Sequence, residues 1–277
     1  MTISAINCYQ GRAGDRNGLA VPGARLVAQA IAERLALPVE NICEPQPFLN
    51  ATWDQELGAA LGDLNMLASR LDKVFCLRQM PVTALTRCAA AIATLPVVLR
   101  HHPEVCVVWF DAHADLNTPQ TSSTGYLGGM ALSGPAGLWN SGFGAGLSVN
   151  NIVLVGARDM DLCEQALIES GQVKLVPSGV ASLPDALVEA VRGRPVYVHI
   201  DCDVLEPGIV PTEYRVPGGL SLDDLREACA ALARMDVVGL EIAEFQGAWE
   251  QGQSLVSPAN FVDSLEPLLA KLKSANA

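Results

Sequence analysis

Three residues able to bind a cation stand at alternate positions behind an apolar run: Val107-Val108-Trp109-Phe110 leads into Asp111-Ala112-His113-Ala114-Asp115. If the chain stays extended, positions i, i+2 and i+4 leave the same face. Two carboxylates and an imidazole would then converge just past a strand end. Ninety residues later, Val196-Tyr197-Val198-His199-Ile200 runs into Asp201-Cys202-Asp203. Two strand ends offering five such groups suit one or two divalent cations. Without a cation, like charges and desolvation both oppose burying them together. Single Asp residues often cap helices or turn corners, so the pair of motifs carries the metal reading.

The elements that must position these groups alternate between strand and helix. Strands are predicted over Ser4 to Tyr9, Val39 to Cys43, Lys73 to Leu77, Val105 to Phe110, Asn151 to Val155, Val173 to Val176, Val196 to Ile200 and Val237 to Glu244. Helical periodicity covers Pro22 to Ala36, a helix capped by Asp54 to about Leu71, and Cys88 to His102. It returns over Cys163 to Glu169, Pro184 to Val191, Leu222 to Arg234 (opened by Ser221) and Ser257 to Leu272. Asn117 to Ser148 is rich in Gly, Ser, Thr and Pro, a long loop of the kind that serves function when ordered. The alternation predicts a three-layer α/β/α fold around a mostly parallel sheet, with ligands beyond the carboxyl ends of its strands. No repeat or linker divides the chain, so residues 1–277 are expected to form one domain.

Composition narrows the function. The 277 residues are 50% hydrophobic and carry a net charge of -12, with a pI near 4.7 and a mean hydropathy of +0.26. Such an acidic chain is a poor partner for nucleic acid. It has no apolar run long enough to span a membrane and no signal-peptide pattern. Eight scattered Cys without a CxxC pair fit a reducing, cytoplasmic setting. With only four His, any metal site must be mostly carboxylate.

Asp111-Ala112-His113-Ala114-Asp115-Leu116-Asn117-Thr118-Pro119 and Asp201-Cys202-Asp203 with Pro207 resemble the two metal signatures of the arginase/agmatinase (ureohydrolase) superfamily. The resemblance spans roughly residues 70 to 272. It implies two Mn2+ ions per chain, with Asp111 and Asp201 bridging them, His113 and Asp203 completing one ion, and Asp115 binding the other. It further implies that Glu244 pairs with a guanidinium and that Asn117 and Thr124 hold the amino-acid end of the substrate. Asp161, beside Asp159, would face the α-amino group. A hydroxide generated between the ions would attack the guanidine carbon, with Asp115 passing the proton on. The implied substrate is a small guanidino amino acid, and a homo-oligomer is compatible with the family.

Two departures matter. The family's first ligand is the His of a Gly-Gly-Asp-His-Ser motif, and the equivalent stretch here is Leu85-Thr86-Arg87-Cys88-Ala89. Cys88 is either a thiolate ligand, as a helix N-terminus and a cation both lower a thiol pKa, or helix packing beside a weakened metal site. The catalytic-loop His of arginases falls on Gly128, in Thr124-Gly125-Tyr126-Leu127-Gly128-Gly129. An alkylamine leaves poorly without proton help, whereas an N-hydroxyguanidine is less basic and easier to handle. This combination resembles the branch of the superfamily that hydrolyses Nω-hydroxy-L-arginine for cycloserine synthesis, giving L-ornithine and hydroxyurea (or urea from L-arginine).

Other residues have plainer readings. His101-His102 suits a helix C-terminus, His199 a core or supporting position, Arg158 a structural ion pair with a carboxylate, and Gly142 to Gly146 loop flexibility. Glu241 is open between structure and function. Agmatinase, formimidoylglutamase and a non-catalytic family member remain alternatives. So does a zinc deacetylase of related fold, for which Tyr214 is the candidate donor.

Overall fold

The computed structural model describes residues 2–274. In chain order the elements are β1 (Ile6–Tyr9), α1 (Ala20–Leu35), β2 (Val39–Ile42), α2 (Trp53–Cys76), β3 (Val82–Ala84), α3 (Ala91–His101), β4 (Cys106–Phe110) and β5 (Ile152–Val155). There follow α4 (Leu162–Glu169), β6 (Lys174–Val176), α5 (Leu183–Val191), β7 (Val196–Asp201), α6 (Leu222–Leu232), β8 (Val237–Ala243), α7 (Ala259–Ser264) and α8 (Glu266–Ser274). One eight-stranded sheet runs in the order β2-β1-β3-β8-β7-β4-β5-β6, every pair parallel. The chain leaves β3 and starts β4 at a distance; β8 and β7 later fill the gap.

Strand periodicity sorts the core into two sides. Cys106, Val108 and Phe110 of β4 join Val198 and Ile200 of β7 in one cluster, under α1, α5, α6 and the two C-terminal helices. Val107 and Trp109 join Tyr197 in the other, under α2 and α3. Every residue of β4 is buried, which is why this strand is a continuous apolar run rather than an alternating one. Burying each of its large side chains contributes about 1.5–3 kcal/mol. That anchor easily exceeds the cost of a strained residue just beyond the strand end.

Three sequence expectations are corrected. Lys73 to Leu77 is not a strand: α2 runs to Cys76, because the stripe Leu57, Ala60, Leu64, Leu67, Leu71, Val74 keeps its helical spacing through that stretch. The strand between β1 and β8 is instead Val82–Ala84, after a turn in which Arg78 has φ +56°. The closing helix is two helices, α7 and α8. Pro267, in the first turn of α8, has no N–H to continue the ladder from α7. The cap of helix α2 is Thr52, whose hydroxyl pairs with Asp54, so Asp54 lies in the first turn rather than at the cap. Among the described residues, no helix is long and apolar enough to cross a membrane.

Helix α1 fixes the far end of the site through one small residue. A Cβ at Gly23 would lie 1.7 Å from the Phe245 carbonyl oxygen, next in sequence to Glu244. Gly23→Ala must therefore push the helix off the segment after β8. The expected loss is about 1–3 kcal/mol in urea unfolding.

Candidate metal centre

The carboxyl ends of β4, β7 and β8 and the turn after β3 meet at one cavity of about 300 Å³. Its floor carries Cys88, His113, Asp115, Asp201, Asp203 and Glu244, and its wall includes Asn117, Thr124, Asp159 and Asp161. Ligand-capable atoms of Cys88, Asp111 and Asp115 lie within 4.8 Å of one another, as do those of Cys88, Asp201 and Glu244, and those of Asp111, His113 and Asp203.

The convergence comes from turns rather than extended chain. Strand β4 ends at Phe110, and the His113 N–H folds back to donate to Asp111 Oδ1 at 2.6 Å. Asp115 has φ +54° and Glu244, directly after β8, has φ +66°. Both sit in the left-handed region, which disfavours a residue with a Cβ by about 1–2 kcal/mol. Strain of this kind gathers where side-chain aim matters more than backbone comfort. At the end of β7, a single helical turn over Cys202–Val204 lets the Asp203 N–H donate to Asp201 Oδ1 at 2.7 Å. The Ala112 N–H donates to Asp203 Oδ1 at 2.9 Å, which ties the two motifs together.

Electrostatics make this cluster a place for positive charge. Burial, then Asp203, pushes Asp111 up to about 7. Burial also raises Asp115 and Asp201 well above the carboxylate range, with neighbouring carboxylates adding to it. His113 Nδ1 points between Asp111 Oδ1 at 3.1 Å and Asp203 Oδ2 at 3.2 Å. Burial opposes charge on His113 and on Asp203, but their mutual hydrogen bond and attraction win, raising the imidazole and lowering the carboxyl. The carboxylate-rich donor set fits hard or borderline divalent cations, Mn2+ among them.

Cys88 takes part in this cluster. Its Sγ lies 3.0 Å from Asp201 Oδ2 and 3.1 Å from His199 Nε2. Burial, then Asp201, Glu244 and Asp111, pushes the thiol well up. The helix start beside it does not by itself offset these acids; a bound cation, on which the thiolate alternative also relies, would reverse the balance. Beneath Cys88, His199 stacks on Trp109 with ring centroids 3.4 Å apart, and its Nδ1 is 2.7 Å from Glu241 Oε1. The Tyr197 hydroxyl (2.7 Å) and the Thr94 hydroxyl (2.8 Å) donate to Glu241 Oε2. The Trp109 N–H donates to Asp111 Oδ2 at 2.9 Å, so the apolar core also orients a carboxylate of the cluster.

Around the wall, Asn117 Nδ2 donates to Asp161 Oδ2 at 2.8 Å. Thr124 lines the cavity and is exposed. Tyr214 stands with its ring centroid 5.1 Å from that of His113. Arg158 does not pair with a carboxylate as expected. Its guanidinium donates to carbonyls of Gly156 (2.9 Å), Asp203 (3.0 Å) and Val216 (2.8 Å), bracing the turn that carries Asp203.

Two supporting residues escaped the sequence reading. Glu164 accepts from the Leu116 N–H at 2.9 Å and the Asp161 N–H at 2.8 Å, joining the two wall loops. The Asp161-x-x-Glu164 capping pattern was a readable signal for it. Arg87 is fully buried; its Nε donates to Asp15 (3.1 Å) and its Nη1 to Glu213 (2.7 Å) and Glu244 (2.8 Å). Glu244 Oε1 accepts from the Cys88 N–H at 2.9 Å. A lone Arg in an otherwise apolar run was the available signal.

The arginase-family sequence model matches residues 88–265. The chain belongs to the arginase family. It is 38% identical over 258 residues to an N(omega)-hydroxy-L-arginine amidinohydrolase of Streptomyces lavendulae, covering 93% of this chain and 94% of that one. It is 30% identical over 186 residues to an arginase of Glaciozyma antarctica, covering 60% of this chain and 54% of that one. The crystal structure of the Bacillus subtilis arginase superposes with a TM-score of 0.82 at 25% identity, covering 97% of this chain and 98% of that chain. The expected α/β/α arginase fold is thereby borne out, and this arginase-family chain is a hydrolase of carbon–nitrogen bonds in linear amidines.

Two outcomes follow from the geometry. Asp111 must shed its proton to ligate, so divalent-cation affinity measured by calorimetry should weaken roughly tenfold or more from about pH 8 to about pH 6. Arg87→Met leaves three carboxylates facing one another without their cation. It should lower the unfolding free energy by about 3–5 kcal/mol in urea titration.

Proposed function

We propose that residues 1–277 act as one arginase-like unit that hydrolyses the guanidino carbon of Nω-hydroxy-L-arginine to L-ornithine and hydroxyurea, with two Mn2+ ions at the Cys88, Asp111, His113, Asp115, Asp201 and Asp203 cluster. The observation that carries this reading is the meeting of Cys88, His113, Asp115, Asp201 and Asp203 with Glu244 at one cavity, with Asp111 clustered against them, in a chain similar nearly end to end to an amidinohydrolase of that substrate. The buried, mutually repelling carboxylates suit such a metal, because a cation is what would hold them ionised together. When bound, paired divalent ions supply Lewis acidity and make water acidic enough to attack at neutral pH.

The chain's own residues do the rest. Glu244 orients the planar guanidine end by accepting hydrogen bonds. Each of its oxygens already accepts one bond, from Arg87 or from the Cys88 N–H, and retains a second lone pair. Asp115, which lines the cavity, takes the proton released by the attacking water and hands it to the departing nitrogen. Asn117, Thr124 and Asp161 bind the amino-acid end. Gly128 offers no loop imidazole, which favours a substrate of lower basicity than arginine.

Ornithine release from Nω-hydroxy-L-arginine and from L-arginine, measured side by side after Mn2+ loading, tests this. The expected outcome is a strong preference for the hydroxylated substrate, with hydroxyurea as co-product. Turnover of neither overturns the assignment.

A further inference from the structure

The loop between β4 and β5 brings Tyr126 to the cavity, where it shares the lining with Glu244, Asp115 and Gly128. Its hydroxyl is the sole buried side-chain nitrogen or oxygen among the described residues that lacks a hydrogen-bond partner. Buried phenols nearly always find one, because an unmade bond costs stability. The groups whose charges act on this hydroxyl are, after burial itself, Glu244 first, then Arg87, Glu213 and Tyr214. Tyr126 lines the same cavity as the guanidine-orienting carboxylate, its ring centroid 6.0 Å from that of Tyr214, which lines it too. Arg16 covers the ring, its guanidinium carbon 4.4 Å from the ring centroid.

The ring also occupies a space that the sequence leaves open. A Cβ at Gly128 would meet Tyr126 Cε1 at 2.4 Å and Cζ at 2.9 Å. With the ring in place, position 128 has no room for a side chain. Where the family resemblance expects a loop imidazole, this wall presents a phenol.

The geometry points to Tyr126 as the specificity-determining residue that recognises the hydroxyl of an Nω-hydroxyguanidine. The inference rests on the reading that this cavity takes Nω-hydroxy-L-arginine with its planar end on Glu244. The terminal nitrogens are then the atoms nearest Glu244, and a hydroxyl carried on one of them falls beside the phenol. Either oxygen can donate to the other, so the pairing satisfies both. L-arginine lacks that hydroxyl and leaves the phenol unpaired. Sites built to hydrogen-bond a substrate hydroxyl can discriminate by about 10⁴–10⁵-fold against an analogue without it. Tyr126 makes and breaks no covalent bond; it selects the substrate.

The test is Tyr126→Phe in the Mn2+-loaded full-length enzyme, with kcat/KM and calorimetric Kd for both substrates and the thermal midpoint. The hydroxyarginine-to-arginine ratio should fall about 100-fold, while the midpoint stays level or rises because an unpaired hydroxyl has been deleted. An unchanged ratio, or a parallel loss for both substrates with a lower midpoint, overturns the inference. Gly128→Ala displaces the ring without removing the hydroxyl, and it should lower the ratio in the same direction; no change there counts against the inference too. Wild-type enzyme that neither binds nor turns over Nω-hydroxy-L-arginine overturns the substrate reading and this inference together. A wild-type preference that survives in Tyr126→Phe overturns this inference alone.

Discussion

Carboxylates crowded beyond the sheet repel one another, and much of the surrounding architecture contains that repulsion. Asp111, Asp115, Asp201 and Asp203 are all buried, and burial combined with mutual charge makes their joint ionisation unfavourable without compensation. Compensation arrives in layers. His113 sits between two of them, main-chain N–H groups of Ala112, His113 and Asp203 meet their oxygens, and the Trp109 indole reaches one from inside the core. What remains is room for a multivalent cation.

The rigid side of this arrangement is the centre of the sheet. Strand β7 lies between β4 and β8, so both aspartate motifs and Glu244 issue from adjacent strands. Register pairs Phe110 with Ile200 and Asp201 with Ala243, which puts the three exits at one level. The strained backbone at Asp115 and Glu244 is tolerated because it follows strands buried at every residue but Val237, the first of β8. His199, Glu241, Tyr197 and Thr94 extend the same order below Cys88, forming a buried polar network inside an otherwise apolar layer. Every hydrogen-bonding partner in that network is supplied by strand or helix, not by loop.

Much of this was legible in the sequence. The apolar runs ending in alternating Asp marked the strands, their carboxyl ends and the groups brought together there. The alternation of strand and helix gave the layers. What was not legible depended on contacts between distant segments. Lys73 to Leu77 has strand-like composition, but the helical stripe of α2 continues through it once packed on α3. Arg158 could be assigned a structural role but not its carbonyl partners. Whether Cys88 is ligand or packing was left open by its helix-start position, a local feature that the acids of three other segments outweigh. Arg87 gave no spacing signal, because its partners Asp15, Glu213 and Glu244 are scattered along the chain.

Those scattered partners have a mechanical consequence. Arg87 is the shared tie of three segments that also bond to one another: the stretch after β1 that holds Asp15 and Asn17, the stretch after β7 that holds Glu213, and the end of β8. None can lift away without stranding a guanidinium or a carboxylate in a poorly solvated place. The rim on that side of the cavity should therefore open as one cooperative unit, rather than fraying loop by loop. The glycine-rich span between β4 and β5 has a different character: from Asn117 to Ser148 it carries no charged residue, so no ion pair of this kind can hold it.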